Sequence, residues 1–139
     1  MKRVILFLVV FFVTAASISY AQAPPKELYA SKVYHKIESN YLKGLASENP
    51  SLRVSCAYFL GELQSEKALI PLMELFRNSK NGGAKLVAAW SLLKIGNPRG
   101  VNLVKRAIEL GECSSNISCM LQYLYKDYCL KTNGKIDHS

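Results

Sequence analysis

The side chains best suited to nucleophilic, proton-transfer or metal chemistry are few: two histidines, His35 and His138, and four cysteines, Cys56, Cys113, Cys119 and Cys129. Neither histidine stands in a pattern with serine, cysteine or aspartate that would make a nucleophile and its base. His35-x-x-Glu38 sets two possible ligands on one face of a helix, but a lone pair of this kind reads as a surface imidazole beside a carboxylate. The cysteine spacings contain no C-x-x-C, so neither a zinc site nor a haem attachment is indicated. No glycine-rich phosphate loop is present, and Gly82-Gly83 reads as a turn. The chemistry of the side chains therefore predicts a protein that is not an enzyme, with no metal and no cofactor.

The cysteines point instead to covalent stapling, which depends on compartment. Residues 1–21 have a basic start at Lys2 and Arg3, the apolar run VILFLVVFFVTAA and then small residues, the layout of a secretory signal peptide. Cleavage is expected after Ala21, because a cut after Ala23 would place Pro24 directly behind the scissile bond. The apolar run is shorter than the roughly 20 residues of a spanning helix, so no stable membrane span is expected after cleavage. Export, to a periplasm or beyond, would place the thiols where disulfides persist. If a helix starts near Asn116, Cys119 and Cys129 lie roughly 15 Å apart along it, too far to bridge. A Cys113–Cys119 bond across the preceding loop is the expected pairing. Cys56 reads as a small buried residue.

The formal charge is +8, and loss of Lys2 and Arg3 with the leader lowers it to +6. No Lys/Arg run exceeds two residues, as at Lys105-Arg106, so the clustered arm of a nucleic-acid binder is missing and nucleic acid is not the expected partner. At 139 residues, half of them hydrophobic, the chain can bury one modest core.

These side chains must be positioned by a repeat. Residues 53–76 and 85–108 align at an offset of 32: Val54 meets Leu86, Ala57 meets Ala89, Tyr58 meets Trp90, Leu60 meets Leu92, Leu63 meets Ile95, Leu69 meets Val101 and Leu72 meets Val104. A period in the low thirties marks a solenoid. Within each unit apolar residues recur three and four apart, as along one face of a helix. Between the runs, Gly96 suits a left-handed helix stop, Asn97 a cap and Pro98 the first position of the next helix. Asn49-Pro50-Ser51 opens the earlier unit in the same way, with Asn81-Gly82-Gly83 at the corresponding place. Ser65-Glu66 stands where Asn97-Pro98 stands later, a weaker cap. Pro71 falls inside the expected second helix and should bend it.

The run Leu92-x-x-Ile95-Gly96-Asn97-Pro98-Arg99-Gly100-Val101, preceded by Lys85-Leu86-Val87-Ala88-Ala89, resembles the short HEAT repeat of the phycobilisome-lyase type. Leu60-Gly61-Glu62-Leu63 and Ala68-Leu69-Ile70-Pro71-Leu72 fit it too, so the resemblance covers about residues 40–110. It implies an all-α fold: a short α-solenoid of helix pairs, an armadillo-like superhelix with atypical capping helices at both ends. Residues 26–46 supply one such helix, and Asn116–Leu130 the other. The domain is expected over 22–130, with a flexible tail at 131–139.

The resemblance implies a binding scaffold whose second helices, Glu66–Arg77 and Pro98–Leu110, line a concave side. Arg77, Arg99, Lys105 and Arg106 lie there among Glu74 and Glu109, and Tyr123, Tyr125 and Tyr128 crowd the last helix, where at least one must face outward. Arg77, Arg99, Lys105, Arg106 and Tyr125 are the expected interaction surface, and another protein the expected partner. The resemblance also implies, as an alternative, a lyase-like or chromophore-binding factor, and the basic residues Arg77, Arg99, Lys105 and Arg106 suggest a second, a face for a polyanion. Tyr58 and Trp90 are expected to stack between neighbouring first helices.

Overall fold

The computed structural model describes residues 31–136. The expected signal peptide and its cleavage site lie outside the described residues. Six α-helices occur among those described, with no strand: α1 (Ser31–Leu45), α2 (Pro50–Glu62), α3 (Leu69–Asn78), α4 (Gly82–Ile95), α5 (Pro98–Glu109) and α6 (Ser115–Ile136). None is long and apolar enough to cross a membrane.

The helix boundaries follow from local chemistry. Asn49 accepts hydrogen bonds from the Ser51 and Leu52 backbone N–H groups, with Pro50 at the first turn of α2. Asn81 caps α4 through the Ala84 N–H, and Asn97 caps α5 through the Arg99 N–H at 3.0 Å, with Pro98 behind it. Helix α4 stops at Gly96, whose φ of 73° is left-handed, as the sequence predicts. The equivalent residue 32 positions earlier is Gln64, also left-handed at φ 50°. A non-glycine residue there is strained, and its side chain gains a partner in return, donating to the Lys94 carbonyl at 3.1 Å. The ends of α2 and α4 are thereby tied together.

Pro71 does not bend a helix. A 3₁₀ turn at Glu66–Ala68 precedes α3, which therefore begins at Leu69. Pro71 falls in the first turn, where backbone N–H groups have no intrahelical acceptor and the missing donor removes nothing.

The repeat register appears as matched burial. Ala57 and Ala89, Leu60 and Leu92, and Leu72 and Val104 are all completely buried pairs. Helices α2, α4 and α6 pack side by side as one layer, with α3 and α5 as the second, and α4 touches α2, α3, α5 and α6. The α2–α4 contact is close because small residues line it. The Ser91 hydroxyl lies 2.8 Å from the Ala57 carbonyl, and a Cβ on Gly61 would sit 2.7 Å from the Ser91 Cβ. Outside this seam Tyr58 and Trp90 stack at 4.9 Å and 12°. Tyr41 stacks on Phe59 in the same manner, carrying the row of rings back to α1.

The tail boundary also differs from the expectation of a loose segment from 131. The helix runs on to Ile136, because an i,i+4 ion pair between Asp127 and Lys131 and a hydrogen bond from Thr132 to the Tyr128 carbonyl carry it past the last apolar position.

Candidate interaction surface

Among the expected surface residues, Arg77 on α3 and Arg99 and Arg106 on α5 are exposed, and Lys105 is exposed with its ammonium 3.7 Å from Glu109. They occupy the second layer of helices, as expected. Tyr125 differs. It is half-buried against the core, and burial first, then the Cys129 thiol beside it, raises its phenol above the ordinary range. The neighbouring Tyr123, 70% exposed, takes the outward position, with exposed Met120 and Leu130 on the same helix. Three tyrosines within six residues signal that one faces solvent, but only the angle at which α6 docks on α4 decides which.

The expected Cys113–Cys119 bond is not formed, and all four thiols are free. Cys113 packs towards the core while Cys119 is exposed on α6, so the two sulfurs face different surroundings. Cys56 is buried, as predicted for the counterpart of Ala88, and burial raises its thiol pKa.

A polar cluster that local sequence did not announce holds the first helix in place. Glu38 is 4% exposed. Its carboxylate accepts from the fully buried Ser65 hydroxyl at 2.6 Å and from Lys67 Nζ at 2.8 Å, with His35 Nδ1 at 3.7 Å. Desolvation pushes the carboxyl upward, but the hydrogen bonds from Lys67 and Ser65 and the Lys67 charge outweigh it, and the net shift is below the ordinary glutamate value. Ser65 thus does not cap the following turn through its side chain; it serves Glu38. Nearby, the Tyr34 hydroxyl donates to the Leu63 carbonyl at 3.2 Å. Among the described residues no three His, Cys, Asp or Glu side chains converge to hold a metal ion.

Surface clefts open at the ends of the helices. One, of about 510 Å³, lies between the ends of α4 and α6, with Trp90, Lys94, Leu124 and Tyr128 in its walls. A second, of about 610 Å³, lies between α1, α2 and α3 and includes Leu42, Leu45, Arg53, Glu74 and Lys80. A third, of about 400 Å³, borders Lys85 and Cys113. The exposed arginines of the second layer line none of the three.

Comparison with known families finds the PBS lyase HEAT-like repeat over residues 52–78, the segment that forms α2, the 3₁₀ turn and α3. No curated protein matches the chain.

Proposed function

From a chain that carries a HEAT-like repeat within an all-helical solenoid, we propose an exported, non-enzymatic scaffold that binds another protein. The observation that carries this reading is the stacking of α2 on α4 in the repeat register. Stacked units bury one side of each helix pair in a shared core and leave the other as a continuous surface for a partner. The HEAT-like repeat adds to this, since repeats of its type commonly mediate protein interactions. Exposed Arg77, Arg99, Arg106 and Tyr123 supply the anchor residue types that dominate binding energy at interfaces. Export rests on the leader-like composition of residues 1–21.

Affinity capture from an envelope extract at low and moderate salt tests the scaffold. A specific protein partner is expected to stay bound at moderate salt and to be lost with the double variant Arg77→Glu, Arg106→Glu, whose melting temperature stays unchanged. Retention only of polyanions, released steeply by salt, would replace the reading with polyanion binding. A covalent or tightly held small molecule in the intact mass would replace it with a ligand carrier. The same mass, read on protein from the exporting cell, checks for an N-terminus at Gln22; an unprocessed chain in the cytosol refutes export.

A further inference from the structure

The clefts beside Arg53 and Lys85 are neighbours and together form one grooved edge of the molecule. Ser79 and Lys80 stand in the walls of both, so the 610 Å³ and 400 Å³ spaces adjoin along the edge where α2 and α4 begin. Arg53 and Lys85 occupy the same repeat position, each the fourth residue of its helix. Lys85 Nζ lies 5.9 Å from the Phe76 ring centroid. Arg53 has no such compensation: among the described residues its buried Nε makes no hydrogen bond and no carboxylate lies within ion-pairing distance of its guanidinium. A buried donor without a partner is rare in folded proteins, and because this Nε is shut off from solvent, a ligand would meet the guanidinium through its terminal amino groups, on the side that lines the cleft.

Resting on the scaffold reading above, we propose that this groove binds an extended, acidic peptide segment of the partner protein, with a carboxylate seated on Arg53 and a second directed to Lys85. The composition of the groove selects this ligand class. Three cations, Arg53, Lys80 and Lys85, stand against the two acids Glu74 and Glu112, too small an excess to hold a polyanion by charge alone. Leu42, Leu45 and Leu75 in the same walls would be wasted on phosphates but suit aliphatic side chains. Alternating carboxylate and aliphatic residues meet both demands. Side chains at i and i+2 of an extended chain share one face about 7 Å apart. Equivalent points on packed helices are about 8–10 Å apart, a difference that the long Arg53 and Lys85 stems can span. The buried Nε holds the guanidinium in a fixed orientation, which limits the entropy lost when a carboxylate docks.

Fluorescence anisotropy on the whole chain, with a labelled octapeptide of alternating glutamate and leucine, tests the proposal. The peptide is expected to bind, and its glutamine–leucine analogue to bind about tenfold more weakly or worse, the loss of a charge-assisted pair. Arg53→Met should lose a similar factor with an unchanged circular dichroism spectrum, Arg53→Lys should recover part of it, and Lys36→Met, at an exposed position near the start of α1, should change nothing. Equal binding of the two peptides, or undiminished binding by Arg53→Met, overturns the groove. Should Arg53→Met not fold, hydrogen exchange on the wild type decides. Protection on peptide addition is expected at 50–56, 74–81 and 82–88, and protection confined to α5 or α6 overturns the assignment. A captured partner that excess acidic peptide fails to displace refutes the groove while leaving the scaffold standing.

Discussion

Replacing Glu38 by alanine removes the carboxylate that joins α1 to Ser65 and Lys67 in the turn between α2 and α3, leaving the Tyr34–Leu63 hydrogen bond as the remaining buried polar tie. The Ser65 hydroxyl, fully buried and 2.6 Å from the carboxylate, loses its acceptor. Leaving such a donor unsatisfied costs about 1–3 kcal/mol. Lys67 contributes little, because its side chain is 62% exposed and its ammonium returns to water, as an exposed ion pair is worth about 0–1 kcal/mol. The lost methylene adds roughly 0.8 kcal/mol. The expected total is about 2–4 kcal/mol, a fall in melting temperature of roughly 10 °C or more for a domain of this size. Glu38→Gln keeps the volume and an acceptor for Ser65, so it should cost less than alanine while still costing stability. The pH dependence separates the charge from the packing. The folded carboxyl lies below its ordinary value, so its contribution is fully present above the unfolded glutamate pKa of about 4.3. It is lost as pH falls through the lower folded value. Urea titrations of the wild type and Glu38→Gln should therefore show a constant gap from neutral pH down to about 4.3, narrowing below it. A gap that is absent at pH 7, or that widens on acidification, refutes the account of Glu38 as an ionised anchor.

Gly61→Ala should destabilise by about 2–3 kcal/mol, the upper part of the overpacking range, because the added methyl would meet Ser91 Cα at 2.8 Å and backbone cannot step aside as a side chain does; a neutral result in thermal melts would mean that the α2–α4 seam is looser than described. Leu92→Ala, at a completely buried position, should cost about 2–5 kcal/mol, whereas Leu130→Ala, 67% exposed, should stay within about 0.5 kcal/mol. Equal effects of the two in chemical denaturation would contradict the repeat register. Iodoacetamide followed by peptide mapping should label exposed Cys119 first and buried Cys56 only on unfolding, with four titratable thiols in denaturant; a Cys113–Cys119 cross-linked peptide, or early labelling of Cys56, would count against the structure.

Much of the fold is written in short-range residue chemistry. Asn49-Pro50 and Gly96-Asn97-Pro98 name their own helix boundaries because caps, first-turn prolines and left-handed stops act within a few residues. The offset of 32 exposes the core because equivalent positions meet equivalent surroundings, as Leu60 and Leu92 do. What escapes such reading is set by packing between distant segments. Glu38 looks like a surface acid beside His35, and only the approach of Ser65 and Lys67, 27 and 29 residues away, makes it a buried anchor. Gln64 gives no sign of a left-handed conformation until the Lys94 carbonyl of the next unit is in place. Tyr123 rather than the expected Tyr125 faces outward because the rotation of α6 about its axis depends on its contact with α4, which local spacing does not encode. Arg53 likewise reads as an ordinary helix residue until tertiary packing buries its Nε at the edge of the cleft between α1, α2 and α3.

The central place of α4 bears on how the molecule comes apart. A long solenoid behaves as a row of weakly joined links, and an end can fray while the middle stays intact. Here the row has so few links that one helix mediates nearly all the coupling, since α2, α3, α5 and α6 each rest on α4. Removing α4 from the array leaves α1 with α2 on one side and α3, α5 and α6 on the other, and a single helix pair cannot bury its apolar face alone. The linear lattice thus collapses to a hub with spokes, and melting becomes a single all-or-none event. A damaging change anywhere on α4 is felt at both ends of the chain at once.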